Sequence, residues 1–151
     1  MSIETTSPFL RELEQRRTSV ERFLVCAHEL PHMGLDDRIE VIEDVITFLA
    51  ETLLPHAQAG EDLLYAEADR LLGRIGSAAS SAADREEIRR HVRALADCEP
   101  HRTGRLQEEL YALYLVASVH LQKEEEVYLR LLGLDPSLME RVMGSMAAYA
   151  G

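Results

Sequence analysis

The clearest candidate for chemistry in this sequence is a histidine followed four residues later by a glutamate, His120 and Glu124. In an α-helix, side chains four residues apart lie on one face, one turn above the other. The same face carries Leu113, Ala117 and Val127, so it is predicted to point toward an apolar interior. An imidazole and a carboxylate on one inward face can ligate a single metal ion, and this pair suits iron, manganese or zinc.

A second histidine, His56, continues an apolar stripe in an earlier helical segment. The stripe consists of Ile42, Ile46, Leu49 and Leu53. Glu61 follows His56 after five residues, and Glu125 directly follows the glutamate of the first pair. Because helical bundles build metal sites by pointing histidines and carboxylates inward from facing helices, these residues form one candidate ligand set. The set is His56, Glu61, His120, Glu124 and Glu125.

Each of these residues also has a structural explanation. A single histidine on an apolar stripe is commonly a core residue that is hydrogen-bonded to a neighbour. The run Lys123-Glu124-Glu125-Glu126 is alternatively a solvated patch of charge. This second explanation fits Lys123 and Glu126 well, but it fits Glu124 poorly because Glu124 lies on the apolar face.

The charge of the chain excludes some classes of partner. The 151 residues include 16 Lys and Arg against 27 Asp and Glu, which gives a formal net charge of −11. Nucleic-acid binding depends on clustered basic residues, so DNA and RNA are excluded as predicted partners. The apolar stretch from Leu110 to Leu121 is broken by Ser118 and His120 and is shorter than the roughly 20 residues of a membrane span. We therefore expect no membrane partner.

The predicted location is the cytoplasm, because the first 20 residues contain charged side chains and no apolar core of a secretory signal. Cys26 and Cys98 are the two cysteines of the chain. They lie in helix-like segments, and a domain of this size does not need a disulfide for stability. We expect both to be free thiols.

The sequence predicts an all-α protein. Ala, Leu, Glu and Arg recur with helical periodicity, and the chain has no Trp and few β-branched runs. Pro8 suits the first position of a helix, Asp36 and Asp37 suit a helix N-terminus, and Pro55 is expected to kink its helix rather than end it. A further helix is expected to begin at Ser80 or Ser81. The predicted helices span about 8–30, 36–72, 80–98, 103–132 and 136–149.

Four long helices with short connections most simply form an antiparallel, up-down-up-down four-helix bundle. The predicted bundle occupies about residues 8–132, and a short extra helix follows at about 136–149. We therefore interpret residues 1–151 as a single domain.

Two segments resemble a known family. They are Leu53–Tyr65 (LLPHAQAGEDLLY) and Val119–Tyr128 (VHLQKEEEVY), and they are similar to the two central motifs of hemerythrin-like proteins, the HHE cation-binding domains common in actinobacteria. The resemblance covers about residues 9–132, with His56 and His120 at the positions of the motif histidines. It implies an antiparallel four-helix bundle that holds non-haem iron, usually two ions. It also implies roles in dioxygen binding, in iron or oxygen sensing, or in peroxide and nitric-oxide chemistry.

The chain departs from the family pattern at three positions. Gly60 stands where the resemblance implies a carboxylate four residues after the first histidine, which leaves Glu61 as the acid there. The family histidine that precedes the run Glu86-Glu87-Ile88-Arg89-Arg90 falls on Arg85. A further family histidine in the first helix falls on Ser19. About half of the implied ligand set is therefore missing.

One interpretation keeps the metal. His91 and His28 lie near apolar faces and partly substitute for the missing ligands, so that one or two non-haem iron ions, or another divalent ion, are held by few protein ligands and water. An open coordination position would then admit dioxygen, peroxide or nitric oxide. Metal-dependent oxidation of a small organic molecule is a variant of the same hypothesis.

The other interpretation replaces the metal with Arg85. A guanidinium that faces Glu61, Glu124 or Glu125 would supply the positive charge that buried carboxylates require. Without any cation, burial of these acids would cost several kcal/mol each or force them to protonate. The protein would then be a metal-free member of the family that acts as a structural or regulatory interaction module.

Overall fold

The computed structural model describes residues 8–73 and 76–150, and this part of the chain is helical apart from short turns, without a β-strand. The first helix is followed by a 3₁₀ turn at Leu30–His32. Two π-helical segments, Leu49–Leu53 and Gly60–Tyr65, join three shorter α-helices into one continuous rod, which we call the second rod. The α-helices are α1 (Pro8–Glu29), α2 (Leu35–Phe48), α3 (Leu54–Ala59), α4 (Ala66–Leu72), α5 (Ser77–Asp97), α6 (Thr103–Leu134) and α7 (Pro136–Ala150).

Local sequence signals account for most helix ends. Pro8 and Pro136 occupy the first positions of α1 and α7, where a missing N–H removes no helical hydrogen bond. The Asp135 carboxylate accepts a hydrogen bond from the backbone N–H of Leu138 at 3.1 Å and so caps α7. Gly73 ends α4 with a φ of 79°, a left-handed conformation that glycine adopts without steric cost. The all-α prediction is confirmed.

The predicted start of the third long helix was wrong. We expected Ser80 or Ser81 to begin it, but α5 begins at Ser77. The reason is that its N-terminal capping group comes from another helix. Asp69 of α4 accepts a hydrogen bond from the backbone N–H of Ala78 at 3.2 Å, so a serine of α5 is not needed as the cap.

The second rod continues through Pro55, as predicted. The π-helical segment Leu49–Leu53 lies immediately before this proline. Proline has no N–H to donate to the preceding turn, and a π turn replaces the usual hydrogen bonds with bonds to the carbonyl five residues earlier. The helical path is thereby maintained as far as Leu72.

Helix α6 lies between α1 and α5 and packs along both. The second rod packs against α5, and α7 contacts α6 and the π-helical segment Gly60–Tyr65. Apolar side chains from all of these helices form one buried cluster. Five polar or charged residues are buried with them in the described part of the chain: His56, Ser81, Glu109, His120 and Glu124.

The outer faces carry ion pairs between residues three positions apart, such as Arg90–Glu87 and Arg89–Glu86 on α5. Exposed pairs of this kind contribute little stability because water screens them. Within residues 8–73 and 76–150, none of the helices combines the length and the apolar character that a membrane span requires.

Candidate functional site: a buried cluster of two histidines and a glutamate

Glu124 lies at the centre of the buried polar residues, with none of its side chain exposed. Its Oε1 contacts Nε2 of His56, which reaches it from α3. Its Oε2 lies 3.7 Å from Nε2 of His120, one turn earlier on α6, and neither of these two atoms has a hydrogen-bond partner in the described part of the chain. The structure therefore brings together three of the five candidate ligands, and we call His56, His120 and Glu124 the central cluster.

A carboxylate on the neighbouring helix orients His120. Nδ1 of His120 lies 3.3 Å from Oδ2 of Asp84 on α5. Because a carboxylate accepts, Nδ1 is the donor in this hydrogen bond, and Nε2 is directed at Glu124 Oε2. Oε2 is itself an acceptor, so this approach is favourable only when a proton or another cation lies between the two atoms.

Lys123 holds Asp84 from the other side. Its Nζ donates hydrogen bonds to both carboxylate oxygens at 3.1 and 3.2 Å and to Oγ of Ser80 at 2.9 Å. Burial alone raises the pKa of Asp84, but the hydrogen bonds from His120 and Lys123 and the charge of Lys123 outweigh it and lower this pKa. Asp84 is thus held as a carboxylate. Asp84 was not among the predicted site residues, although it directly precedes Arg85 in α5.

We expect Asp84→Asn to lower the free energy of unfolding by about 1–2 kcal/mol at pH 7, because it removes a charged hydrogen-bond acceptor. The folded pKa of Asp84 lies below the unfolded value of about 3.9, so its stabilisation is present above that pH and is lost as the pH falls. The difference between the two proteins should therefore narrow below about pH 4. Urea unfolding at pH 7 and below about pH 4 measures this difference in the free energy of unfolding. Asp97→Asn, at an exposed position of α5, serves as the control, and an equal effect of both substitutions would contradict the prediction.

Arg85 pairs with Glu61. Its Nε and Nη2 donate to Oε2 of Glu61 at 2.9 and 2.6 Å. Both side chains are largely buried, with 13% of Arg85 and 18% of Glu61 exposed. Glu61 lies in the π-helical segment Gly60–Tyr65, where backbone hydrogen bonds span five residues instead of four. The guanidinium therefore reaches one of the three acids that the second interpretation named, and it makes no ion pair with Glu124 among the described residues.

Glu125 is directed toward α1 instead of the central cluster. Its carboxylate accepts two hydrogen bonds from Arg17, at 2.8 Å from Nη2 and 3.4 Å from Nη1. The hydrogen bond and charge of Glu125 raise the pKa of the Arg17 guanidinium against the opposing effect of burial. The two candidate ligands Glu61 and Glu125 thus each make an ion pair with an arginine of this chain.

The two histidines considered as substitute ligands lie apart from the central cluster. Nδ1 of His91 contacts Oε1 of the buried Glu109 at 2.6 Å, and its Nε2 contacts Glu87 at 3.2 Å. His28 is exposed and packs edge-on against Tyr111. Each therefore has a local partner that explains its position.

Tyr65 and α7 fill the space beside Gly60, where the family resemblance implied a carboxylate. A Cβ atom on Gly60 would lie 3.5 Å from Cε2 of Tyr65 and 3.9 Å from Cε of Met146, so a longer side chain would have to displace one of them. The Tyr65 hydroxyl is buried and has no hydrogen-bond partner among the residues that the structure describes. Burial, and then the charges of Glu124 and Asp84, raise its pKa.

The arrangement does not form a ready metal centre. Across residues 8–73 and 76–150, His, Cys, Asp and Glu side chains form no group of three or more that could hold a metal ion. One oxygen of Glu124 is already in contact with His56. The other two candidate acids, Glu61 and Glu125, are paired with arginines. As they lie, these residues do not fit the two-ion centre that the family resemblance implies.

Comparisons with models of protein families, with curated proteins and with solved structures found no match to this chain.

Proposed function

We propose that this chain is a hemerythrin-like four-helix bundle that works without a metal, as a structural or regulatory interaction module. The observation that carries the proposal is the position of Arg85, whose guanidinium binds the Glu61 carboxylate at 2.6 Å in a largely buried setting. A guanidinium supplies a permanent positive charge and several donors. It can therefore replace a metal ion as the partner of a buried acid.

The charge balance around the central cluster supports the same proposal. Glu61 is paired with Arg85, and Glu125 is paired with Arg17. The third candidate acid, Glu124, contacts His56, whose imidazole can share or carry a proton. The side chains of this protein thus provide each of these acids with a positive or proton-donating neighbour.

Metal loading tests the proposal directly. We expect the purified protein, after incubation with iron(II), manganese(II) or zinc(II) and removal of excess ion, to retain less than about a tenth of an equivalent of metal per chain. A metal that bound to the folded state would raise the thermal midpoint of unfolding. We therefore expect the same ions to leave this midpoint unchanged. Elemental analysis and thermal unfolding measure both quantities.

Arg85→His is the matched variant for this experiment. It returns the residue type that the family resemblance implies and removes the guanidinium from Glu61, so it should retain more metal than the unmodified chain. If the unmodified chain retains about one equivalent and gains thermal stability, the metal-independent proposal is wrong.

A second candidate function rests on a different observation. Within residues 8–73 and 76–150, His120 Nε2 and Glu124 Oε2 are both buried without hydrogen-bond partners, and they face each other at 3.7 Å. With His56 they make two imidazoles and one carboxylate, the donor types of mononuclear non-haem iron sites. In this candidate, Glu124 would release His56, and the three residues would hold one iron ion.

Such an ion, when bound, would supply an open position for dioxygen, peroxide or nitric oxide. The contribution of the chain would be to orient His120 through Asp84 and to exclude water with the ring of Tyr65. The loading experiment separates the two candidates. This one requires about one equivalent of metal that is lost in His120→Ala and retained in His91→Ala.

A further inference from the structure

Arg16 of α1 is a largely buried cation that lacks an adequate partner among residues 8–73 and 76–150. Its side chain is 15% exposed, and both Nε and Nη1 are buried without a hydrogen-bond partner in this part of the chain. The nearest carboxylate oxygen, Oε2 of Glu12, lies 3.8 Å from Nη2, which is too far for a hydrogen bond. Glu12 is also 58% exposed, so water weakens this attraction. Buried charged donors without acceptors are costly, which indicates that an acceptor from outside the described residues belongs here.

The guanidinium borders two cavities. One has a volume of about 370 Å³ and lies between α1, His56 and α7, with walls formed by Phe9, Met143 and Met146. The other has a volume of about 390 Å³ and lies between α1 and the second rod. Cavities of this size accommodate small organic molecules. The first cavity combines an apolar wall with one cation, and this combination fits an anion that carries an apolar group.

The charges around Arg16 restrict the anion. Among the described residues that line the first cavity, Arg16 is the one arginine or lysine, and Glu12 lies on the same wall. The chain as a whole carries a net charge of −11. Multivalent anions such as phosphate would therefore be repelled, whereas one carboxylate matches one guanidinium in charge and in planar geometry.

We propose that this cavity binds a small monocarboxylate with a short aliphatic chain. The carboxylate accepts hydrogen bonds from Arg16, and the aliphatic chain packs against Phe9, Met143 and Met146. The ligand would contact α1 and α7 together, and it would lie against His56 of the central cluster. This inference is independent of whether the central cluster holds a metal.

Hexanoate is the probe for the experiment, with hexan-1-ol as a neutral molecule of the same chain length and inorganic phosphate as an anion without a chain. Isothermal titration calorimetry on the full chain should show saturable binding of hexanoate. Binding of hexan-1-ol should be at least about tenfold weaker, and phosphate should not bind. Equal binding of hexanoate and hexan-1-ol, binding of phosphate alone, or no saturable binding up to about 10 mM would each overturn the proposal.

Two variants locate the site. Arg16→Met keeps an apolar stem and should weaken hexanoate binding at least about tenfold, whereas Arg11→Met, at an exposed position of the same helix, should leave it unchanged. Ala147→Phe narrows the cavity from an exposed position of α7 and should also weaken binding. Without ligand, Arg16→Met should unfold at the same temperature as the unmodified chain or higher. A clear loss of stability in Arg16→Met, or unchanged binding in both site variants, would refute the proposal.

Discussion

Arg85→Ala is expected to lower the free energy of unfolding by about 3–5 kcal/mol at neutral pH. The substitution leaves the Glu61 carboxylate in a position where 18% of its side chain is exposed, without the guanidinium that donates two hydrogen bonds to it. Removing one partner of a buried pair is costly because the remaining charge has lost its interaction with water as well. Urea unfolding followed by circular dichroism measures the difference.

Arg90→Ala provides the matched control. Arg90 lies on the same helix and also pairs with a glutamate, Glu87, but 63% of its side chain is exposed. Its replacement should change the free energy of unfolding by no more than about 0.5 kcal/mol. In the double variant Arg85→Ala/Glu61→Ala, the loss should be smaller than the sum of the two single losses. If Arg85→Ala costs no more than Arg90→Ala, Arg85 does not act as a substitute cation.

Glu124→Ala should destabilise the protein by a similar amount, about 3–5 kcal/mol. Glu124 is fully buried and contacts His56, so its removal leaves the buried His56 imidazole without this carboxylate and opens a cavity between helices. Glu124→Gln keeps the size of the side chain and one acceptor oxygen for His56, and it should cost less. Glu126→Ala is the control. Glu126 lies at an exposed position two residues further along α6, and its replacement should have little effect on stability.

The same substitution also distinguishes the two candidate functions. If the central cluster is a metal site, Glu124 and His120 face each other unfavourably until an ion binds. Glu124→Ala would then also abolish metal uptake and the rise in thermal stability that a bound ion gives. A protein that loses stability in Glu124→Ala without ever retaining metal supports the interaction module.

The helices could largely be predicted because their signals are local. Apolar periodicity and terminal prolines place α1, α6 and α7 within a few residues of their observed bounds. The start of α5 could not be placed correctly, since the group that caps it belongs to Asp69 of another helix. A cap of this kind depends on how α4 and α5 pack, and sequence spacing carries no record of it.

In the candidate site, too, local spacing could be predicted and contacts between helices could not. The alignment of His120 with Glu124 on one face follows from their spacing along α6. The roles of Asp84, Lys123 and Tyr65 could not be predicted, because they depend on the rotation of α5 and the second rod about their own axes. Packing between helices determines that rotation, and the spacing of residues in a single sequence does not predict it.

The two π-helical segments of the second rod have a consequence for comparison with other bundles. Each π turn accommodates about one more residue than an α turn, and one residue corresponds to about 100° of rotation around the helix. Deleting a single residue from Leu49–Leu53 should therefore convert this turn to α-helix and keep His56 directed at the interior, whereas a deletion from a regular α turn would rotate His56 away from it. A helical protein that lacks these turns therefore has to be aligned with this chain across a one-residue gap at each of them. An ungapped alignment would match interior positions of one protein to surface positions of the other.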